Sequence, residues 1–288
     1  MERVAPLNGP VRRQRPYGRG NLRVRAVPVF RRSGPFEAHR FGTVFVVARS
    51  ARADRLGWRG KGTLPVGFAL VRIGILGGTG PAGSALAARL ASVGFETVIG
   101  SRSKYRAMEA VDTLLGRWAD RELRIGAADN EGAAHADIVV IATPWDGATQ
   151  TAVLVEKQLR NKVVICMANA LTRIGNEFQP LVPPRGSVAA SVQAAVPKCC
   201  VAAAFHHVPA KELGDLGHPI ESDVLICSDH PSATQATADL VRKIPNMRPL
   251  DAGELSLATP IESFTAVLLQ LNVHYKTRVA IKFTGIPE

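Results

Sequence analysis

Glycines at 78, 80 and 83 and a hydroxyl-rich cationic loop at 101–106 are the strongest candidates for chemistry in this chain. Gly78-Thr79-Gly80-Pro81-Ala82-Gly83 carries the G-x-G-x-x-G spacing directly after Val71-Arg72-Ile73-Gly74-Ile75-Leu76. That near-continuous apolar run suits a strand buried on both faces of a parallel sheet. Ala82, Ala85, Leu86, Leu90 and Val93 then recur at helical spacing, interrupted on that face by Arg89. Pro81 fits a first helical turn, where its missing N–H has no partner to lose. A lone glycine motif is weak; between a strand and a helix it reads as a dinucleotide turn. The glycines let the backbone approach a pyrophosphate, and the helix start offers N–H groups and a positive dipole end. About twenty residues on, the strand Thr97-Val98-Ile99-Gly100 ends where an NAD site would place a carboxylate on the ribose 2′-hydroxyl. Here the loop is Ser101-Arg102-Ser103-Lys104-Tyr105-Arg106, a hydroxyl and several cations with no carboxylate. It suits a 2′-phosphate, so the predicted cofactor is NADP(H).

The elements that must position these groups continue as strand–helix alternation. Asp137 to Ala142 reads as a strand closed by Thr143-Pro144-Trp145, Gln150 to Leu159 as a helix, and Lys162 to Cys166 as the next strand. Loops at the carboxyl ends of such strands line the ligand crevice. Thr143, Pro144, Trp145 and the Met167-Ala168-Asn169 loop are therefore expected to wall a nicotinamide pocket; Trp145 is equally suited to a half-buried core position. After Ser187 the alternation becomes irregular. Ser187–Val196 and Ser232–Ile244 look helical, and Val201–Phe205 and Asp223–Ile226 strand-like. His206-His207-Val208-Pro209-Ala210 follows a strand end, so a histidine there is either a proton donor or a packing and hydrogen-bonding residue. Thr259-Pro260-Ile261-Glu262 reads as a capping box with proline at N1, opening a helix to about Tyr275. Its stripe of Ile261, Phe264, Leu268, Leu271 and Tyr275 faces either the core or a dimer partner. No Cys/His spacing predicts a metal site, and Cys199-Cys200 suits small buried side chains.

Composition bounds the alternatives. The chain has 288 residues, 46% hydrophobic and 21% charged, too apolar for a disordered protein. It has no apolar stretch long enough to span a membrane. The net charge of +12 is misleading as a nucleic-acid signal. Residues 1–70 hold 15 Lys/Arg against 3 acids, whereas residues 71–288 hold 21 of each. That leader is rich in Arg, Pro and Gly and has no sustained period. It reads foremost as an extension from a misplaced start, since Val71 is what a GTG start codon encodes internally. An export signal and a nucleic-acid-binding arm are weaker readings. The expected organisation is an extension over 1–70, an NADP-binding domain over 71–185 and a C-terminal domain over 186–288. The fold class is α/β: a Rossmann-type doubly wound parallel sheet with a smaller C-terminal α/β domain.

Over 71–288 the chain resembles the NADPH-dependent reductases of the 5-deazaflavin coenzyme F420. The resemblance rests on Ile75-Leu76-Gly77-Gly78-Thr79-Gly80, Ile99-Gly100-Ser101-Arg102, His206-x-Val208-Pro209-Ala210, Arg248-Pro249-Leu250-Asp251-Ala252-Gly253 and the closing Ala280-Ile281-Lys282-Phe283. It implies that Thr79 to Ala82, Ser101, Arg102 and Arg106 hold the NADP phosphates. It further implies that Thr143, Trp145, Asn169 and Ala210 lie near the nicotinamide and His206 near the deazaflavin. Arg106 stands where the family has Lys; His207 and Asn169 replace less polar residues. The expected activity is reversible hydride transfer between NADP(H) and F420, with no catalytic base and no metal. Its partners are small molecules, with neither nucleic acid nor membrane, in a cytoplasmic protein that is a candidate homodimer. The rivals are reduction of a flavin, ferric iron or a small imine, or an NADP sensor whose basic arm contacts nucleic acid.

Overall fold

The structure, a computed structural model, describes residues 71–286. The expectations for the basic leader lie outside the described residues. The chain opens with β1 (Arg72–Leu76), α1 (Pro81–Ser92), β2 (Glu96–Ser101), α2 (Lys104–Arg117), β3 (Ile125–Asp129), α3 (Asn130–Ala133) and β4 (Ile138–Ile141). There follow α4 (Trp145–Leu154), α5 (Glu156–Leu159), β5 (Val163–Cys166), the hairpin strands β6 (Leu171–Ile174) and β7 (Glu177–Pro180), and α6 (Val188–Ala195). The chain closes with β8 (Cys200–Ala203), α7 (Ala210–Leu213), β9 (Ser222–Cys227), α8 (Pro231–Arg242), β10 (Met247–Gly253) and α9 (Ala258–Tyr275).

Eight strands form one sheet in the order β10-β9-β8-β5-β4-β1-β2-β3. From β3 to β8 all neighbours are parallel, the doubly wound arrangement expected from the strand–helix alternation. β9 meets β8 antiparallel at the single pair Ala203–Cys227, and β10 is parallel to β9. Burial on both faces explains the apolar strand runs. Ile73, Ile75, Val140 and Ile165 pack on one side with Leu86 and Leu90 of α1 and Val241 of α8. Leu76, Val139, Ile141 and Val164 pack on the other with Ala148 of α4 and Val188 of α6.

Two expectations fail here. α4 starts at Trp145, five residues before the predicted Gln150, because Pro144 serves as its N-cap residue. No capping box opens α9. A 3-10 turn at Leu255–Leu257 leads into the helix, Leu257 occupies the N-cap, and no side chain caps it. Glu262 instead turns across to α6, where its two oxygens accept from the N–H groups of Val188 (2.9 Å) and Ala189 (3.2 Å). The stripe on α9 is divided as well: Leu268 is buried, while Phe264 and Tyr275 are exposed.

Candidate active site

The carboxyl ends of five parallel strands stand in a row. Gly100 pairs with Leu76, Leu76 with Ile141, Ile141 with Cys166, and Cys166 with Ala203. At about 4.8 Å per strand the row is roughly 19 Å wide. At or beyond it lie Ser101 at the end of β2 and Arg102 after it, the glycine turn after β1, Thr143 after β4, Asn169 after β5 and His206 after β8.

Each glycine of the turn has its own reason. Gly77 adopts a positive φ of 71°, and a Cβ there would come 2.5 Å from Thr143 Cγ2. At Gly78 a Cβ would lie 2.8 Å from the Ile75 carbonyl oxygen; at Gly83, 2.8 Å from Gly78 Cα and 3.0 Å from Ala142 Cβ. Those positions are glycine because protein atoms crowd them. Gly80 differs: φ is −75°, and a Cβ would meet only the Gly77 oxygen, at 3.6 Å. Among the described residues nothing requires glycine there, as expected where a ligand phosphate approaches the backbone. Gly80 is the N-cap of α1 yet provides no side-chain cap, and the first turn holds no acid, which leaves its positive end for an anion. Asn130, which the sequence reading missed, holds the turn from below by accepting from the Gly77 N–H at 3.3 Å. Nothing local in the sequence marks a contact across 53 residues.

Ser101 is buried, and its hydroxyl accepts from the Ser103 N–H at 3.4 Å. Arg102 and Arg106 are exposed, with no ion pair to either among the described residues. Asp129, opposite Ser101 in the sheet, turns its carboxylate to the Gly132 N–H (2.7 Å) as the cap of α3. Ser101 ends β2 and Lys104, Tyr105 and Arg106 open α2, so only Arg102 and Ser103 form the connecting turn, and no carboxylate pairs with Arg102 or Arg106 among the described residues. Pro81 and Ala210 line a cleft of about 520 Å³ with Ser84, Lys211 and Arg278. Trp145, the first residue of α4, is 37% exposed and not part of the core.

The far side of the row is polar and incompletely paired. Asn169 donates through Nδ2 to the His206 carbonyl oxygen at 2.7 Å, which joins the loops after β5 and β8. The preceding Phe205 is 1% exposed, and its backbone takes the left-handed φ of 64° rare for a bulky residue. Asn169 Oδ1 and Thr143 Oγ1 are buried and make no hydrogen bond with protein among the described residues, and the buried His206 ring has the Ala204 backbone beside it. Burial, aided by the neighbouring His207, pushes the His206 imidazole down to about 3, so it is neutral near pH 7. His207 is structural. Its Nε2 lies 3.0 Å from the Asp223 carbonyl oxygen and 3.3 Å from the Leu225 N–H, filling the gap where β8 leaves β9. Among the described residues no group of three His, Cys, Asp or Glu side chains is placed to hold a metal.

Residues 72–170 match the family described as NADP oxidoreductase, coenzyme F420-dependent. Over 223 residues the chain is 34% identical to the F420-dependent NADP reductase of Methanocaldococcus jannaschii, covering 75% of this chain and 99% of that relative. The chain belongs to the F420-dependent NADP reductase family. The reductase of Methanothermobacter marburgensis is 32% identical over 228 residues, 76% of this chain and all of the relative. A solved structure from Arthrobacter sp. FB24 shares the fold at 21% identity with a TM-score of 0.60, covering 75% of this chain and 100% of that one. The matched residues 72–170 include the glycine turn, Ser101, Arg102, Arg106, Thr143 and Asn169, and not His206 or Ala210.

Proposed function

We propose that the protein transfers a hydride reversibly between NADP(H) and coenzyme F420, in keeping with its family. One observation carries the reading: Gly80 is open to a ligand beside a helix N-terminus, Ser101 ends the next strand, and Arg102 and Arg106 stand in the turn and helix that follow it. The two coenzymes supply the redox chemistry: hydride passes between C4 of the nicotinamide and C5 of the deazaflavin, and solvent provides the accompanying proton. The residues 71–185 would bind NADP(H) and 186–288 would complete the F420 side. Gly78 to Gly83 would hold the pyrophosphate, and Ser101, Arg102 and Arg106 the 2′-phosphate. Thr143, Trp145, Asn169, His206 and Ala210 would border the reacting rings. Neutral His206 is a poor acid, which suits a reaction whose demand on the protein is orientation rather than proton transfer.

Four free thiols suit a reducing cytoplasm. No helix among the described residues is long and apolar enough to cross a membrane. The exposed Phe264 and Val267 on α9 suit a homodimer. The test is turnover with F420 beside free FMN and a ferric chelate, followed by loss of the oxidised deazaflavin absorbance. Bleaching on NADPH addition is expected with F420 and little rate with the other two. A faster rate with FMN or ferric chelate would overturn the reading.

A further inference from the structure

Asn169 is the best-defined of the unpaired groups beyond the strand ends. Its orientation is fixed, because the nitrogen must face the His206 carbonyl oxygen that it contacts at 2.7 Å. The free end is therefore Oδ1, an acceptor only, buried and without a protein partner. A buried acceptor is destabilising until a donor reaches it. Its neighbours have complementary capacity. Thr143 Oγ1 can donate and has no protein partner among the described residues, and a neutral His206 ring carries one N–H, with the Ala204 backbone beside it. The strands that lead to these three residues are adjacent, with their last residues paired. An acceptor beside donors matches a primary carboxamide, which presents an N–H and a carbonyl oxygen from one planar group.

We propose that Asn169 is a specificity-determining residue whose Oδ1 accepts the N–H of the nicotinamide carboxamide. The inference rests on NADP(H) binding at the glycine turn. A ring carboxylate would set its oxygens against the lone pairs of Oδ1, and a methyl ketone would leave Oδ1 unpaired. The lactam N–H of the deazaflavin is the rival source of the same chemistry.

Calorimetric titration separates these possibilities without F420. The ligands are NADP+ and its 3-acetylpyridine analogue, which keeps ring and charge and lacks the N–H. The wild-type full chain should bind NADP+ about 3- to 10-fold more tightly than the analogue, the worth of one net hydrogen bond. Asn169→Ala should bring the two within about twofold by weakening NADP+ alone. If that variant does not fold, Asn169→Ser is polar but too short to reach, and the preference must vanish there as well. Equal binding by the wild type, or a preference that survives both substitutions, overturns the proposal. So does a variant that keeps its preference while its KM for F420 rises, since the N–H would then be the deazaflavin's. Failure of the wild type to bind either nucleotide would instead sink the NADP reading itself.

Discussion

Replacing Gly80 by alanine separates a turn shaped for a ligand from one shaped by packing. The backbone there, φ −75° and ψ 162°, is open to alanine, and the added methyl would meet only the Gly77 oxygen at 3.6 Å. Losing glycine at an N-cap costs up to about 1 kcal/mol. Narrowing the unfolded chain's freedom returns about 0.4–1 kcal/mol. Stability should therefore stay within about 1 kcal/mol of wild type. Binding should not. Forfeiting one charge-assisted hydrogen bond to the pyrophosphate costs about 1.5–3 kcal/mol, or about 10- to 150-fold in the NADPH dissociation constant. Gly83→Ala is the control. Its methyl would press on Gly78 Cα at 2.8 Å and Ala142 Cβ at 3.0 Å, so overpacking should cost about 1–3 kcal/mol of folding stability. Thermal melts and NADPH titrations on both variants decide the matter. The reasoning fails if Gly80→Ala melts as low as Gly83→Ala, or if it binds NADPH within threefold of wild type.

The 2′-phosphate loop gives a second expectation: Arg102→Asp should weaken NADPH at least about tenfold and leave NADH nearly unchanged, and equal losses for both would show that the loop does not read the phosphate. His206→Ala should slow turnover by far less than the ~10²–10⁴-fold typical of a lost acid or base, since an imidazole depressed to about 3 is already deprotonated; a thousandfold loss with NADPH binding intact would assign it proton transfer. Stability should rise with pH between about 4.5 and 6.5. His206 and His207, held down to about 3 and 4, stay neutral in the fold and take up protons on unfolding; Glu262, raised to about 7 by burial, is protonated in the fold and releases one, leaving a net uptake near one proton, or about 1.4 kcal/mol per pH unit at most. Denaturant unfolding of the wild type and His206→Asn across that range checks the sign, and a flat or falling profile in the wild type refutes it.

The Rossmann half was legible because two periods change over within a dozen residues. The apolar run Ile73–Leu76 stops at the glycines, and helical spacing starts at Ala82. β3 was not, since Ile-Gly-Ala-Ala-Asp is short, small and at the sheet edge, where little apolar surface is needed to seat a strand. Thr259 and Glu262 misled for a different reason. The spacing of a capping box is local, whereas the partners of Glu262 are N–H groups 74 and 73 residues away on α6. The site divides along the same line. Gly80, Ser101 and Arg102 could be read from chain-adjacent spacing. Asn130 under the turn and the unpaired Oδ1 of Asn169 depend on contacts between distant loops, for which a single sequence carries no period.

Those long-range contacts also explain how an irregular segment can wall a site. Residues 204–218 have only one short helix, α7, yet their ends are tied to the regular sheet and to α1. At one end the buried Phe205 ring holds a strained turn, and His207 takes the place of a missing strand partner for Leu225. At the other end Arg89, the charged interruption on the apolar face of α1, donates to the carbonyls of Leu213 (2.9 Å), Glu212 (3.0 Å) and Asp215 (2.6 Å). A guanidinium 6% exposed is tolerated there because those carbonyls replace its water and its charge meets the negative end of α7. Between the two anchors lie the His206 carbonyl that orients Asn169 and the start of α7 that borders the cleft. The residue that breaks the helical pattern in the sequence is thus the one that fixes the loop closing over the helix.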